Sequence, residues 1–293
     1  MIIVRLTGGI GNQLFQYAFC RSLAISRQTE LKLDVADFKL SANREYSLKH
    51  FNIIEEFATP EELSMIYDHG KKGWRMLSQK INFLTKHIDE RITLAKERHF
   101  HFDPDALKIR DNSFVQGYWQ SEKYFKKIEK TIRKEFTVKY PLEGNNLSMA
   151  ELIEKVNSVS LHIRRGDYIS NPLINRTHGV CNLDYYLKSV EELAKVVDNP
   201  HFFIFSDDPA WTKKYLKLEY PLTFADHNGS EEAHEDLRLM SLCKHHIMAN
   251  SSFSWWGAWL NSKAEKIVIA PKKWFQSSSL NVSDLLPECW IKI

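Results

Sequence analysis

Between Ser160 and Tyr168 the chain runs Ser-Leu-His-Ile-Arg-Arg-Gly-Asp-Tyr, which sets two guanidiniums, an imidazole and a carboxylate where a strand gives way to a loop. Val159, Leu161 and Ile163 alternate with polar neighbours, so they share one face of a strand while His162 and Arg164 share the other. Adjacent arginines at such an edge suit a diphosphate, because guanidinium forks bind phosphate oxygens bidentately and keep their charge at any working pH. A solvated basic loop is the competing reading, and a short motif alone does not separate the two. Two more polar stretches follow apolar runs, Ser206-Asp207-Asp208 and Asn250-Ser251-Ser252. Ser251 and Ser252 open a helix, where they either bind a phosphate at the positive end of the helix dipole or simply cap it. Capping is the plainer reading of Ser206 or Asp207, ahead of a helix beginning near Pro209. Asp236 lies inside an amphipathic helical pattern and reads as part of a solvated face.

The second half of the chain supplies the scaffold by alternation. After the strand ending at Ile163 comes a helix carrying Leu183, Leu187, Val190, Ala194 and Val197, then the strand Phe202-Phe203-Ile204-Phe205. Further strands are expected at 222–225, 247–249 and 266–270, with helices at about 231–243 and 252–261 between them. Elements of this length and order imply a parallel sheet covered on both faces, and ligands in such folds bind at the carboxyl ends of the strands. The polar stretches fall at those ends.

The first half opens in the same style. Residues 2–6 form an apolar strand, Thr7-Gly8-Gly9-Ile10-Gly11-Asn12-Gln13 a glycine loop, and a helical pattern starts at Leu14. Gly9-Ile10-Gly11 with Asp34 begins a dinucleotide fingerprint, yet Leu14 stands where its third glycine belongs. Helices are expected near Pro60 and after Gly73. Asp103-Pro104-Asp105 matches a metal-binding D-x-D pattern but lacks the further oxygen ligands that a hard cation needs, so a turn or helix start is preferred. Pro141 to Ser148, with Gly144, Asn145 and Asn146, reads as a linker, which divides the chain into residues 1–150 and 151–293.

Composition narrows the classes. The 293 residues are 43% hydrophobic and 12% aromatic, enough for a sizeable core or two domains. A net charge of +3 is too balanced to indicate nucleic acid. Cys20, Cys181, Cys243 and Cys289 are widely spaced, which indicates neither a zinc cluster nor a disulfide framework. The N-terminal residues carry no secretory pattern and no segment reaches membrane-spanning length, so a cytoplasmic location is expected.

His162-Ile163-Arg164-Arg165-Gly166-Asp167-Tyr168, taken with Gly8-Gly9-Ile10-Gly11-Asn12-Gln13 and with Ser251-Ser252-Phe253-Ser254-Trp255-Trp256-Gly257, resembles the bacterial α-1,2-fucosyltransferases across nearly the whole chain. The H-x-R-R-x-D element is shared with α-1,6- and O-fucosyltransferases, whereas the glycine start and the tryptophan block point to the α-1,2 branch. The resemblance implies a GT-B-like α/β fold of two Rossmann-type domains facing across a cleft, with an N-terminal acceptor-side domain and a C-terminal GDP-fucose-binding domain. It implies GDP-β-L-fucose as co-substrate, inversion at the anomeric carbon, no metal and no other cofactor. Carried over by residue, Arg164 grips the β-phosphate beside His162, and Arg165 also belongs to the donor site. His162 and Asp236 touch guanine, and Ser252, next to Ser251, meets the β-phosphate. Gly9, Asn12 and Gln13 face donor or acceptor. Asp167 is either the general base or a salt-bridge partner of Arg164 or Arg165. The acceptor is a galactose-terminated oligosaccharide of surface glycan or O-antigen synthesis, with peripheral association at the inner membrane face through lipid-linked acceptors and no nucleic-acid partner. The rival enzyme readings are a metal-dependent GT-A transferase using Asp103 and Asp105, and a nicotinamide oxidoreductase using Gly9, Gly11 and Asp34.

Overall fold

The computed structural model describes residues 1–40, 44–67, 92–277 and 280–293. The helix expected after Gly73 lies outside them. In chain order the elements are β1 (Ile2–Arg5), α1 (Ile10–Arg27), β2 (Leu31–Asp34), α2 (Ala36–Leu40), α3 (Pro60–Tyr67), β3 (Thr93–Lys96), β4 (Ser113–Gln116) and α4 (Glu129–Glu135). They continue with α5 (Gly144–Lys155), β5 (Asn157–Ile163), α6 (Gly166–Ser170), α7 (Pro172–His178), α8 (Leu183–Ala194), β6 (Pro200–Ser206), α9 (Pro209–Tyr215), β7 (Leu222–Ala225), α10 (Ala233–Leu242), β8 (His245–Ile247), α11 (Ser252–Leu260), β9 (Val268–Ala270) and β10 (Ile291–Lys292).

The chain divides into two compact units. One holds Met1–Lys49 with Ile53–Ile132, the other His50–Asn52 with Arg133–Ile293. The division therefore falls near residue 132, ahead of the expected one at 150. Residues 144–148 of the expected linker instead open α5, whose Met149 and Ile153, one helical turn apart, bury against Phe203 and Phe205 of β6.

The first unit is built on a parallel sheet in the order β2-β1-β4-β3. Leu14, in the place of a third fingerprint glycine, is fully buried in α1. Asp34 accepts from the backbone N–H of Ala36 at 3.0 Å, closing the turn that follows β2. Asp103 caps the short 3-10 helix Pro104–Lys108, accepting from the Asp105 N–H at 3.0 Å, and its other oxygen pairs with Arg98 at 2.7 Å. Asp105 pairs with Lys108 at 2.7 Å. The D-x-D stretch is thus a capped turn tied to two cations.

The second unit has a six-stranded sheet, all of whose pairs are parallel, ordered β10-β9-β8-β5-β6-β7. The chain starts in the middle at β5, winds outward through β6 and β7, then returns to β8 on the other side. This is the doubly wound order, and the reversal between β5 and β8 leaves a crevice at the strand ends. Val159, Leu161 and Ile163 pack with Phe202 and Ile204 against Tyr186, Val190 and Leu193 of α8. Phe203 and Phe205 point to the opposite layer, where α5 and α10 lie. Ser158, Ser160 and His162 are also buried, since helices cover that face too.

Candidate active site

Because each covering helix runs back antiparallel to its neighbouring strands, the N-termini of α10 and α11 lie at the carboxyl edge of the sheet. That edge gathers the end of β5, the end of β6, the first turn of α10 and the start of α11. His162, Arg164 and Asp207 stand at or just past the ends of β5 and β6, and Asp236 and Ser252 in the first turns of α10 and α11.

The two arginines have different surroundings. Arg164 is about a quarter exposed, and its Nη1 pairs with Oδ2 of Asp207 at 2.9 Å. Oδ1 of the same carboxylate accepts from the backbone N–H of Arg165 at 2.8 Å. Asp207 thus holds both the head of one arginine and the backbone of the next. A Cβ on Gly166 would lie 2.5 Å from Asp207 Oδ2, so this approach needs a glycine at 166. The Arg165 guanidinium stacks 3.7 Å above the Trp211 ring and its Nε reaches Asp208 at 3.3 Å. Arg165 is therefore bound to the start of α9, and Arg164 is the arginine presented at the strand end.

Asp208, not Ser206 or Asp207, caps α9, accepting from the Trp211 N–H at 3.1 Å with Pro209 in the first turn. The reason is geometric. Asp207 is drawn back across the strand end by Arg164, so the next carboxylate takes the cap.

His162 is almost fully buried, with its ring centroid 5.4 Å from that of Phe253 at the start of α11. Its Nδ1 has no partner among the described residues. Burial, seconded by the charge of Arg164, pushes its pKa down to about 3, so the ring is neutral at working pH and has a ring nitrogen to offer a ligand.

Ser251 is the N-cap of α11, accepting from the Phe253 N–H at 3.3 Å. Asn250 fixes the approach to that helix by donating from Nδ2 to the carbonyls of His178 at 2.9 Å and Trp274 at 3.1 Å. Ser252 is the first residue of the helix proper, at the positive end of its dipole. Asp236 lies in the first turn of α10, half-buried beside Asn228, whose Nδ2 donates to its Oδ1 at 2.7 Å. The expected solvated face is not what surrounds it. Burial, with Glu232 and Glu235 nearby, pushes its carboxyl up to about 7 against the pull of the Asn228 bond. Asp167 lies in α6, and its side chain is outside the described residues.

In the first unit Gly9 is the N-cap of α1. The Oδ1 of Asn12 accepts from Gln120 Nε2 at 2.8 Å, linking the ends of β1 and β4. Gln13 is fully buried and uses both ends of its amide. Nε2 donates to the Gly8 and Glu45 carbonyls at 2.9 Å each, and Oε1 accepts from the Ser47 N–H at 2.9 Å. It braces the glycine loop against the polar segment at 44–48, whose role is not evident from sequence.

Three comparisons bear on this arrangement. An α-1,2-colitosyltransferase of Escherichia coli is 36% identical over 100% of this chain and 99% of its own length. The O-antigen biosynthesis glycosyltransferase WbnK of Escherichia coli is 32% identical over 98% of this chain and 99% of its own. The crystal structure of NodZ α-1,6-fucosyltransferase soaked with GDP-fucose superimposes with a TM-score of 0.50 at 14% identity, covering 88% of this chain and 91% of that one. That last likeness shows the shared fold, the GT-B-like pair of Rossmann-type domains. The relatives' full-length identity goes further, and the family model for glycosyl transferase family 11 covers residues 1–293, glycine loop and tryptophan helix included, so the chain belongs to that family.

Proposed function

We propose that this glycosyltransferase is a galactoside α-1,2-L-fucosyltransferase, moving L-fucose from GDP-β-L-fucose to the 2-hydroxyl of a terminal β-galactoside in surface glycan or O-antigen synthesis. The observation that carries this reading is the full-length likeness to an α-1,2-colitosyltransferase together with the family 11 match over the whole chain. The second unit holds the donor and the first the acceptor. Guanine is read by Asp236 with His162 beside it, and the diphosphate lies between Arg164 and the start of α11 at Ser252.

The acceptor oxygen attacks the anomeric carbon in line as the bond from that carbon to the phosphate oxygen breaks, which inverts the β-linked donor to an α-linked product. The acceptor loses its hydroxyl proton to a base, for which Asp167 is the candidate. The departing GDP gains negative charge, and the Arg164 fork and the α11 amides meet it. One such donor contributes about 3 kcal/mol to a transition state.

Activity is expected to persist in excess EDTA, and replacing Asp103 and Asp105 together by Ala should cost about 1 kcal/mol of stability through the lost cap while leaving turnover intact. Urea titration and a GDP-release assay check both. Loss of turnover on chelation, restored by manganese, with a folded but inactive double variant, sinks the reading. No helix among the described residues is long and apolar enough to cross a membrane. A cytoplasmic site of action, with acceptors presented on lipid carriers at the inner membrane face, accords with that.

One observation favours a second donor. The relative 36% identical to this chain is named for colitose, which is L-fucose without its 3-hydroxyl. A site that hydrogen-bonds a substrate hydroxyl rejects the analogue lacking it by roughly 10⁴-fold, because its own polar groups are left unpaired. An assay offering GDP-fucose and GDP-colitose with galactosides, with the product linkage read by NMR, is expected to show the fucose donor preferred and a 1,2 bond. Colitose transfer at an equal or higher kcat/KM overturns the donor assignment. A different linkage overturns the reading.

A further inference from the structure

Asp236 does not stand alone at the base end of the donor site. Asn228, in the loop between β7 and α10, forms a reciprocal amide pair with Asn146 in the first turn of α5. Asn146 Nδ2 donates to Asn228 Oδ1 at 3.0 Å and Asn228 Nδ2 donates to Asn146 Oδ1 at 2.9 Å. The same Asn228 Nδ2 donates to Asp236 Oδ1 at 2.7 Å. His227 Nε2 lies 2.8 Å from Asn146 Oδ1 and is its second donor. A carboxylate only accepts, so Asn228 must turn its NH₂ toward Asp236; that choice fixes the Asn146 amide and the protonated nitrogen of His227 in turn. Among the described residues Asn146, His227 and Asn228 line one side of a cavity of about 610 Å³, together with Glu143, Glu232 and His234, and Asp236 stands behind Asn228.

With Oδ1 engaged by Asn228, a proton on this carboxyl sits on Oδ2. Guanine presents two adjacent donors, N1–H and the 2-amino group, and two acceptor oxygens are needed to meet them. A neutral carboxyl offers only one and opposes the other with its own O–H.

Resting on the reading of Asp236 as the guanine contact, we propose that Asn228 is a specificity-determining positioning residue: its bond to Asp236 keeps the carboxylate oriented and ionisable, so that taking up guanine releases the proton from Oδ2. Half-burial of the carboxyl and the negative charges of Glu232 and Glu235 favour that proton, and the Asn228 bond opposes it. The other charged or titratable groups around the site are Arg238, which pairs with Glu235, and His234, stacked 3.7 Å from His50. Glu143 and His227 lie along the cavity, and α11 contributes the uncharged Ser252.

The test measures GDP and ADP affinity for the full-length protein by calorimetry from about pH 5.5 to pH 8.5. The ratio of the two cancels titration of the phosphates, which both ligands share. For the unaltered protein the GDP-over-ADP ratio is expected to climb about tenfold per pH unit on the acid side and level off above about pH 7.5. In Asn228→Ala the climb shifts upward by a pH unit or more, so the ratio is depressed near neutrality and recovers by pH 8.5. Asn146→Ala, which only loosens Asn228, shifts it less and stands in should Asn228→Ala fail to fold. A depression of equal size at every pH marks a purely structural residue and overturns the inference, as does a ratio independent of pH in the unaltered protein. If Asp236→Asn leaves the ratio unchanged, the reading of the base site itself falls, whatever Asn228 does.

Discussion

Arg164→Lys is expected to lower kcat roughly a hundredfold or more while changing KM for the donor far less, although the charge is kept. The cause is the shared carboxylate. Arg164 gives one nitrogen to Asp207 Oδ2 at 2.9 Å, so the direction of its planar fork is fixed before the donor arrives. A lysine ammonium has no such plane; held by Asp207 it sits back from the ligand, and turned toward the ligand it abandons Asp207. The loss falls on kcat because the missing donor meets charge that grows only as the fucosyl bond breaks. Gly166→Ala and Asp207→Asn act on the same pair from its other side. The first forces a Cβ within 2.5 Å of Asp207 Oδ2, and the second removes the charge opposite Arg164. Both should reduce kcat, by less than Arg164→Lys, without exposing the core to denaturant. Steady-state kinetics with GDP-fucose, run beside circular dichroism, decide it. An Arg164→Lys enzyme within threefold of the unaltered kcat would mean that Arg164 does not stabilise the departing diphosphate.

Much of this edge is legible in the sequence, and the parts that are not share a cause. The alternation around Leu161 correctly separates His162 from the α8-facing side of β5, since side-chain period in a strand is a local property. Asp103 is legible as a turn or helix start from the proline after it, whereas the cap ahead of Pro209, expected at Ser206 or Asp207, falls on Asp208. Alternation sets Arg164 with His162, but what holds Arg165 is not visible that way, because it lies in Trp211 and in the Asp208 carboxylate past another strand end. For the same reason Asn146 and Asn228, about eighty residues apart, give no signal in the chain. Gly144-Asn145-Asn146 reads as linker because its polarity is visible and its tertiary partners are not. Met149 and Ile153 one turn later are the available sign of α5. Asp236 passes for a surface residue until its neighbours in space are known.

Acid should expose the same carboxylate through stability. His162 is buried and neutral, with its pKa near 3, and His246 is held well below the usual imidazole range by burial, between Ser160 Oγ at 2.8 Å and Asn261 Nδ2 at 2.9 Å. In the unfolded chain both take a proton as pH falls through about 6.5, whereas in the native protein neither does. Their stabilisation is complete above that pH and is lost below it. Asp236 has the opposite sign: its native pKa of about 7 exceeds the ordinary aspartate value of 3.8, so between those values the native protein holds a proton that the unfolded chain lacks. Stability from this group grows as pH falls through 7. Two protons favouring the unfolded chain against one favouring the native leave a net loss of about one proton, or about 1.4 kcal/mol per pH unit, below pH 6. His201, His234 and His245, also lowered by burial, steepen it in the same direction. Asp236→Asn keeps an acceptor for Asn228 but takes up no proton, so it should lose about 2.5 kcal/mol more than the unaltered protein between about pH 6.5 and pH 4.5. Comparing the two proteins cancels every other titrating group. Urea midpoints across that range measure it, and parallel curves for the two proteins would show that Asp236 is ionised throughout, removing the proton on which the guanine linkage depends.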